Sequence, residues 1–172
     1  MVEVVEKIEE EILNDVAPCS LFCRTCTGCK HGSISYHAKE LLRLLDGHEE
    51  FIDKNLSKDY RHKLDEFKEF QSKLKKYANP KCGGCRKARA HGCSIMGCII
   101  PECVKEHNVN FCGECREFPC NKVNKKIYKE NVIKKWLDGN TMIKEKGVLA
   151  YYEDNKDIPH YIEYKKRGKN NE

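Results

Sequence analysis

Residues 79–120, NPKCGGCRKARAHGCSIMGCIIPECVKEHNVNFCGECREFPC, decide how this chain is read. They hold eight cysteines, five glycines and three prolines, a composition of loops and tight turns rather than of a sheet. KCGGCRK and FCGECRE are near-copies. Each has C-G-x-C followed by arginine, and the glycine lets the backbone turn beneath two neighbouring sulfurs. The full spacings are Cys82-x2-Cys85-x7-Cys93-x4-Cys98-x4-Cys103 and Cys112-x2-Cys115-x4-Cys120.

Upstream, PCSLFCRTCTGC carries Cys19-x3-Cys23-x2-Cys26-x2-Cys29, four sulfurs within eleven residues. Loops this short cost little closure entropy, so the four can converge on one ion or cluster. Closely spaced thiolates favour an iron–sulfur cluster here. The glycine-turn knuckles favour zinc, held by Cys82, Cys85, Cys112 and Cys115, with Cys93, Cys98, Cys103 and Cys120 left for a further site. A sequential grouping, Cys82, Cys85, Cys93 and Cys98 against Cys103, Cys112, Cys115 and Cys120, fits the spacing as well. Some of the twelve cysteines can instead be buried as small hydrophobes. Cys19, Cys23 and Cys26 also have the spacing of radical-SAM enzymes, but no run of alternating strands and helices supplies the barrel such enzymes use. His91, two residues before Cys93, is a spare ligand. The other histidines read as surface residues.

Outside the cysteines the pattern is helical. Val2, Val5, Ile8, Ile12, Leu13 and Val16 make an amphipathic stripe that stops at Pro18. SISYHAKELLRLLD, from Ser33 to Asp46, makes a second, with Gly47 as a stop, and Lys58 to Tyr77 a third. Pro101 and Glu102 open a short helix around Cys103. After Cys120 two further segments follow, 123–137 and 142–152, punctuated by Gly139-Asn140. The fold class expected is therefore mainly α: a small Cys-rich, metal-organised domain with irregular loops, a helical insertion and C-terminal helices. One domain spans 1–172, with 33–78 as the insertion, 79–120 as the metal-binding region and 165–172 as a mobile tail.

Composition narrows the setting. No apolar run approaches the roughly 20 residues of a membrane span, and the N-terminus lacks a signal-peptide core. A cytoplasmic protein is expected, and in that compartment an even cysteine count at CxxC spacing reads as metal ligation rather than as disulfides. The formal charge of +5 counts cysteines as neutral. Three four-thiolate zinc or [4Fe–4S]²⁺ sites would bring it to about −1, which removes the charge argument for a nucleic-acid partner.

PCSLFCRTC, CGGCR and CIIPECVKEHNVNFCGECREFPC resemble an uncharacterised cysteine-rich family, domain of unknown function 3795. The likeness continues weakly through NTMIKEKGVLAYYEDNKDIPHY and omits 33–78 and the tail. Ser20 stands where that family usually has glycine, and Cys29 is an extra cysteine past the usual three. The resemblance implies metal and no particular activity. The function expected is an accessory or electron-transfer protein acting with a protein partner. The alternatives are a zinc-stabilised interaction module and an enzyme with an open metal position near Cys29. Nucleic acid and membrane are not expected partners, and the oligomeric state is open. Cys29 either closes the first site or stands beside it as a reactive thiol.

Overall fold

The apolar stripe before Pro18 forms helix α1 (Val2–Asp15), whose Ile12 is buried together with Val16 just beyond its end. The computed structural model describes residues 2–55, 57, 60–86, 95 and 97–162, without the side chains of 2–8 and of 61. Cys93, His91 and the expected tail 165–172 lie outside the described residues.

Helix α2 (Ser33–Leu44) runs to the left-handed turn at Gly47, and the chain restarts at once as α3 (His48–Asn55). The sequence pattern marked no helix between the stop at Gly47 and Lys58. Helix α4 (Arg61–Ala78) returns along α2, and the two are joined by Ala38, Leu74 and Ala78 with Leu42 and Leu45 against them. Buried Ser35 donates its hydroxyl to Ala78 O at 3.0 Å and ties the N-terminus of α2 to the C-terminus of α4. α3 packs on α4 through an edge contact of His48 with Phe67, ring centroids 4.8 Å apart.

The short helix α5 (Ile100–Glu106) starts with Pro101 in its first turn, a place where the missing N–H costs nothing. A single 3₁₀ turn, Cys112–Glu114, follows, then α6 (Glu130–Lys146) and α7 (Val148–Asn155). Here the expected punctuation is corrected. Gly139 and Asn140 lie buried inside α6, and the break falls at Gly147, whose φ of 84° an L side chain rarely adopts. Gly139 is a packing glycine: a Cβ there would collide with the Ser20 side chain and the Tyr151 hydroxyl. Asn140 is fully buried and polar because it bridges two main chains, accepting from Gly113 N–H at 2.8 Å and donating to Trp136 O at 2.9 Å.

Two apolar clusters hold this part together. The first joins Ile12, Val16, Phe22, Phe111, Ile143, Tyr151 and Tyr152, and so binds α1, the first cysteine loop, α6 and α7. The second gathers Ile100, Val104, Phe118, Val123, Tyr128 and Trp136, with Cys19, Cys98, Cys112, Cys115 and Cys120 packed against it. Among the described residues there is no strand, only isolated bridges between Val16 and Phe22 and between Cys29 and Cys82.

Arg86, the arginine after the CGGC turn, closes the end of α1. Its guanidinium donates to Leu13 O at 2.8 Å, to Val16 O and to Asn110 O at 2.8 Å, and lies 4.7 Å over the Phe111 ring. A planar fork serves three carbonyls at once, which an ammonium on a flexible stem cannot do. Arg86→Lys is expected to lower the unfolding free energy by about 2 kcal/mol in urea titration, since hydrogen bonds from charged groups are the stronger class. A loss below about 0.5 kcal/mol, the range of an ordinary surface substitution, would show that the fork does not hold the helix end.

Candidate thiol site

The first cysteine loop is a chain of tight turns. Ala17 N–H donates to Leu21 O at 2.8 Å, Cys26 N–H to Cys23 O at 3.0 Å and Cys29 N–H to Cys26 O at 3.2 Å. The last of these closes a β-turn, so the Cys26 and Cys29 Cα atoms stand within about 7 Å, near the reach of a disulfide. The two sulfurs have unlike surroundings. Cys26 is half-exposed, with the Gly28 N–H 3.4 Å and the Tyr161 hydroxyl 3.8 Å from its Sγ. Cys29 is 5% exposed and sits in a bridge to the first knuckle, where Lys30 N–H donates to Cys82 O and Cys82 N–H to Gly28 O, both at 3.0 Å.

Residues 160 and 161 strap this loop from outside. The Tyr161 hydroxyl accepts from Thr27 N–H at 3.1 Å and lies 2.8 Å from Thr27 Oγ1, and His160 N–H donates to Thr25 Oγ1 at 3.0 Å. His160, read from sequence as a surface residue, is half-buried, with Nδ1 3.1 Å from Phe22 O. Nothing in its sequence spacing pointed to this role.

Beneath the loop lies a cavity of about 470 Å³ that Cys23, Cys29, Cys85, Arg24, His31 and Arg86 help to line. Burial pushes the Cys23 thiol well above the usual range, and the charges of Cys85, Cys19, Cys29 and Cys26 act in the same direction. Burial is also the main cause that raises Cys29, with Cys82 and Cys26 adding to it. Cys19 is half-buried against the second apolar cluster and is raised chiefly by burial, with Cys85, Cys98 and Cys112 near enough to contribute. These thiols are kept protonated by the fold.

The remaining cysteines gather elsewhere. Cys103, Cys112, Cys115 and Cys120 surround a small pocket against Phe118 and Trp136. Thus Cys82 and Cys85 lie with the first loop, while Cys112 and Cys115 lie with Cys103 and Cys120. Cys98 is tied to Tyr128, whose hydroxyl donates to its sulfur at 3.4 Å. Among the described residues no cysteine is in a disulfide.

The expected metal sites are corrected by this arrangement. Among the described residues no group of three or more His, Cys, Asp or Glu side chains is arranged to hold a metal ion. The iron–sulfur cluster at Cys19, Cys23, Cys26 and Cys29, the zinc at Cys82, Cys85, Cys112 and Cys115, and the metal-organised fold are therefore withdrawn, together with the accessory, zinc-module and open-metal functions that rested on them. The physical reason is packing: thiols that the spacing assigned to ligand shells contribute as small apolar groups beside Ile100, Val104, Phe118 and Trp136.

Residues 15–125 match the profile of a family described as "Protein of unknown function (DUF3795)". The chain belongs to that family. The DUF3795 match runs through 33–78, the stretch the resemblance left out, and stops before the C-terminal segment it included. Comparison with curated proteins and with solved structures gives no match. Ser20 has a φ of 66°, a left-handed conformation natural to glycine. Its carbonyl accepts from the Tyr151 hydroxyl at 2.6 Å, so α7 holds the turn that the side chain disfavours.

Asp15 and Arg24, which help to line the cavity, form a network with Glu11 and Tyr152. The Tyr152 hydroxyl lies 3.0 Å from Glu11 Oε1 and 3.0 Å from Asp15 Oδ2 and can donate to one at a time, while Arg24 lies 3.5 Å from Asp15. Burial raises the Asp15 carboxyl above its ordinary 3.8, against the opposing effects of Tyr152 and Arg24. A raised carboxyl pKa means that the folded state binds the proton more tightly than the unfolded one. This stabilising contribution is full below the unfolded value and is lost as pH rises through the folded value. The melting-temperature difference between Asp15→Asn and wild type is expected to shift in favour of the variant from about pH 4 to about pH 6. A difference that stays constant, or moves the other way, would remove burial as the governing cause.

Proposed function

We propose that this protein carries out thiol–disulfide exchange through Cys26 and Cys29 on a protein partner that presents an accessible disulfide. One observation carries the reading. The C-x-x-C turn has one sulfur at the surface between a main-chain N–H and a tyrosine hydroxyl, and the other buried behind it. Such asymmetry suits an attacking and a resolving thiol.

The Cys26 thiolate attacks one sulfur of the partner disulfide, and the other partner sulfur leaves as a thiolate that takes up a proton. Cys29 then gives up its proton and attacks the Cys26 sulfur of the mixed disulfide, and the second partner thiol leaves. The products are two partner thiols and a Cys26–Cys29 disulfide. Two electrons have passed to the partner, and a cellular thiol returns the site to its reduced form.

The same reading places the protein in a reducing compartment such as the cytoplasm, where free thiols persist. It treats 1–172 as one domain with 33–78 as a helical insertion. No helix of the described residues is long and apolar enough to cross a membrane. With the metal sites withdrawn the formal charge of +5 stands. It does not argue for nucleic acid, because the corresponding pI of about 8.5 lies below the range above about 9 that marks nucleic-acid-binding domains.

The test is equilibration of the reduced protein with mixtures of oxidised and reduced dithiothreitol, followed by acid quench, alkylation and peptide mapping. A reversible Cys26–Cys29 disulfide is expected to form before any other bond. A first bond at another pair, or none at this one, overturns the proposal.

A further inference from the structure

Cys29 is held beside two other cysteines, and exchange with a partner uses one of them. Its N–H closes the turn on Cys26 O at 3.2 Å. On its other side stands Cys82, at the far end of the helical insertion. Cys82 N–H donates to Gly28 O and Cys82 O accepts from Lys30 N–H, both at 3.0 Å. The main chain of Cys82 thus bonds to the residues on either side of Cys29, and a parallel bridge sets the two cysteines directly opposite each other. Chains paired in this way lie about 4.8 Å apart. A disulfide spans Cα separations of about 4.4–6.8 Å, so the bridge brings Cys29 and Cys82 within bonding range. Burial shows that they share a face: Cys29 is buried and Cys82 half-buried, whereas their neighbours Lys30 and Lys81 are exposed, as side chains that alternate along a paired segment require. Burial is the largest influence on the Cys29 thiol, and among the charges that raise it Cys82 comes before Cys26.

We propose that Cys82 takes over the disulfide from Cys26, so that the oxidised protein carries its bond between Cys29 and Cys82. This step rests on the exchange reaction at Cys26 and Cys29. The Cys82 thiol gives up its proton and its sulfur attacks Cys29 of the Cys26–Cys29 disulfide. That S–S bond breaks, a Cys29–Cys82 bond forms, and Cys26 leaves as a thiolate that takes up a proton. One disulfide replaces another, so no oxidant or reductant is consumed.

The transfer gives the reaction a direction. Cys26 is the half-exposed sulfur that meets the partner, and a bond that ends there is open to attack by the thiols the partner has just gained. Between buried Cys29 and half-buried Cys82 the bond is withdrawn from them. It also joins the two stems of the insertion. Helices α2, α3 and α4 all lie between the bridged residues, so the new bond closes a loop around the whole insertion, and the redox state of the site changes the stability of those helices.

The test adds excess oxidised dithiothreitol to the reduced full-length chain, quenches samples in acid at successive times, alkylates them and maps the peptides, with a melting curve on the end product. Trypsin leaves Cys26 and Cys29 together in 25–30 and Cys82 in 82–86, so a linked pair of peptides reports the transferred bond and its fragmentation places the sulfurs. The Cys26–Cys29 bond is expected first, giving way to Cys29–Cys82 as the main species. The end product should melt about 8–16 °C above the reduced protein, the shift that closing a loop of about 50 residues supplies in a chain of this size. In Cys82→Ser the reaction should stop at Cys26–Cys29, and the rise in melting temperature should fall to less than about half, because that loop is short. A Cys26–Cys29 bond that persists in the wild-type protein overturns the transfer and leaves the exchange reading standing. Absence of that bond at every time overturns the exchange reading and the transfer with it. A Cys29–Cys82 bond that forms at the wild-type rate in Cys26→Ser also overturns the transfer, since Cys26 would then not be its source.

Discussion

Gly113→Ala is expected to lower stability by about 3 kcal/mol, at the upper end of the cost of overpacking a buried site. Gly113 is buried in the 3₁₀ turn Cys112–Glu114, where that turn presses on α6. A Cβ there would run into the main-chain oxygen of Asn140 and come within 3.0 Å of Ile143 Cβ and Cγ2. Neither neighbour yields easily: the oxygen belongs to helix backbone, and Ile143 is locked in the first apolar cluster. The turn is also held in register by the bond from Gly113 N–H to Asn140 Oδ1 at 2.8 Å, which a displaced turn would break. For a chain of this size the loss corresponds to a fall of about 6–12 °C in melting temperature. Asn140→Ala should cost about 1–3 kcal/mol by the other route, because it leaves the buried Gly113 N–H without a partner. A Gly113→Ala protein that melts within about 2 °C of wild type would show that the turn does not rest on α6.

Gly139-Asn140 also shows where sequence reasoning loses its grip. A Gly-Asn pair is a common helix terminator, and from sequence it separated two helices. In the fold both residues are spent on tertiary contacts that no local pattern encodes: Gly139 for the close approach of Ser20 and Tyr151, Asn140 for bridging two main chains. The helices themselves were legible wherever apolar residues recur at helical spacing, as in α1, α2 and α4. α3 was missed because its only apolar residues, Phe51 and Ile52, are adjacent and show no helical repeat. The cysteine regions were legible as loops and turns, and misread as ligand shells. Spacing reports which sulfurs can meet, whereas burial in an apolar cluster depends on residues as distant as Phe118 and Trp136. The one local hint was the arginine after CGGC: it marked a residue that matters, since Arg86 caps α1, but not what it binds.

Cys29→Ser and Cys26→Ser should fail in opposite ways when the reduced protein meets a disulfide substrate. Without Cys26 the attacking sulfur is gone, and no adduct forms at this loop, because Cys29 is buried behind the turn. Without Cys29 the attack proceeds and stops half-way. A resolving thiol three residues along a closed turn works at an effective concentration of millimolar or above, so the Cys29→Ser mixed disulfide should persist until external thiol reaches about 1 mM. The wild-type adduct should resolve too fast to isolate. Both variants are read by non-reducing mass measurement after acid quench, with the melting curve as a check on folding. Serine is close to isosteric with cysteine but brings a hydroxyl to a buried site, so a modest loss of stability is expected at Cys29 and less at half-exposed Cys26. Cys82, paired with Cys29 through the main-chain bridge, supplies the remaining discrimination. If Cys82 were the resolving thiol, Cys29→Ser would still clear its adduct and Cys82→Ser would trap it. A Cys29→Ser adduct that resolves as quickly as wild type therefore removes Cys29 from the reaction, and an adduct that survives in Cys26→Ser removes the pair altogether.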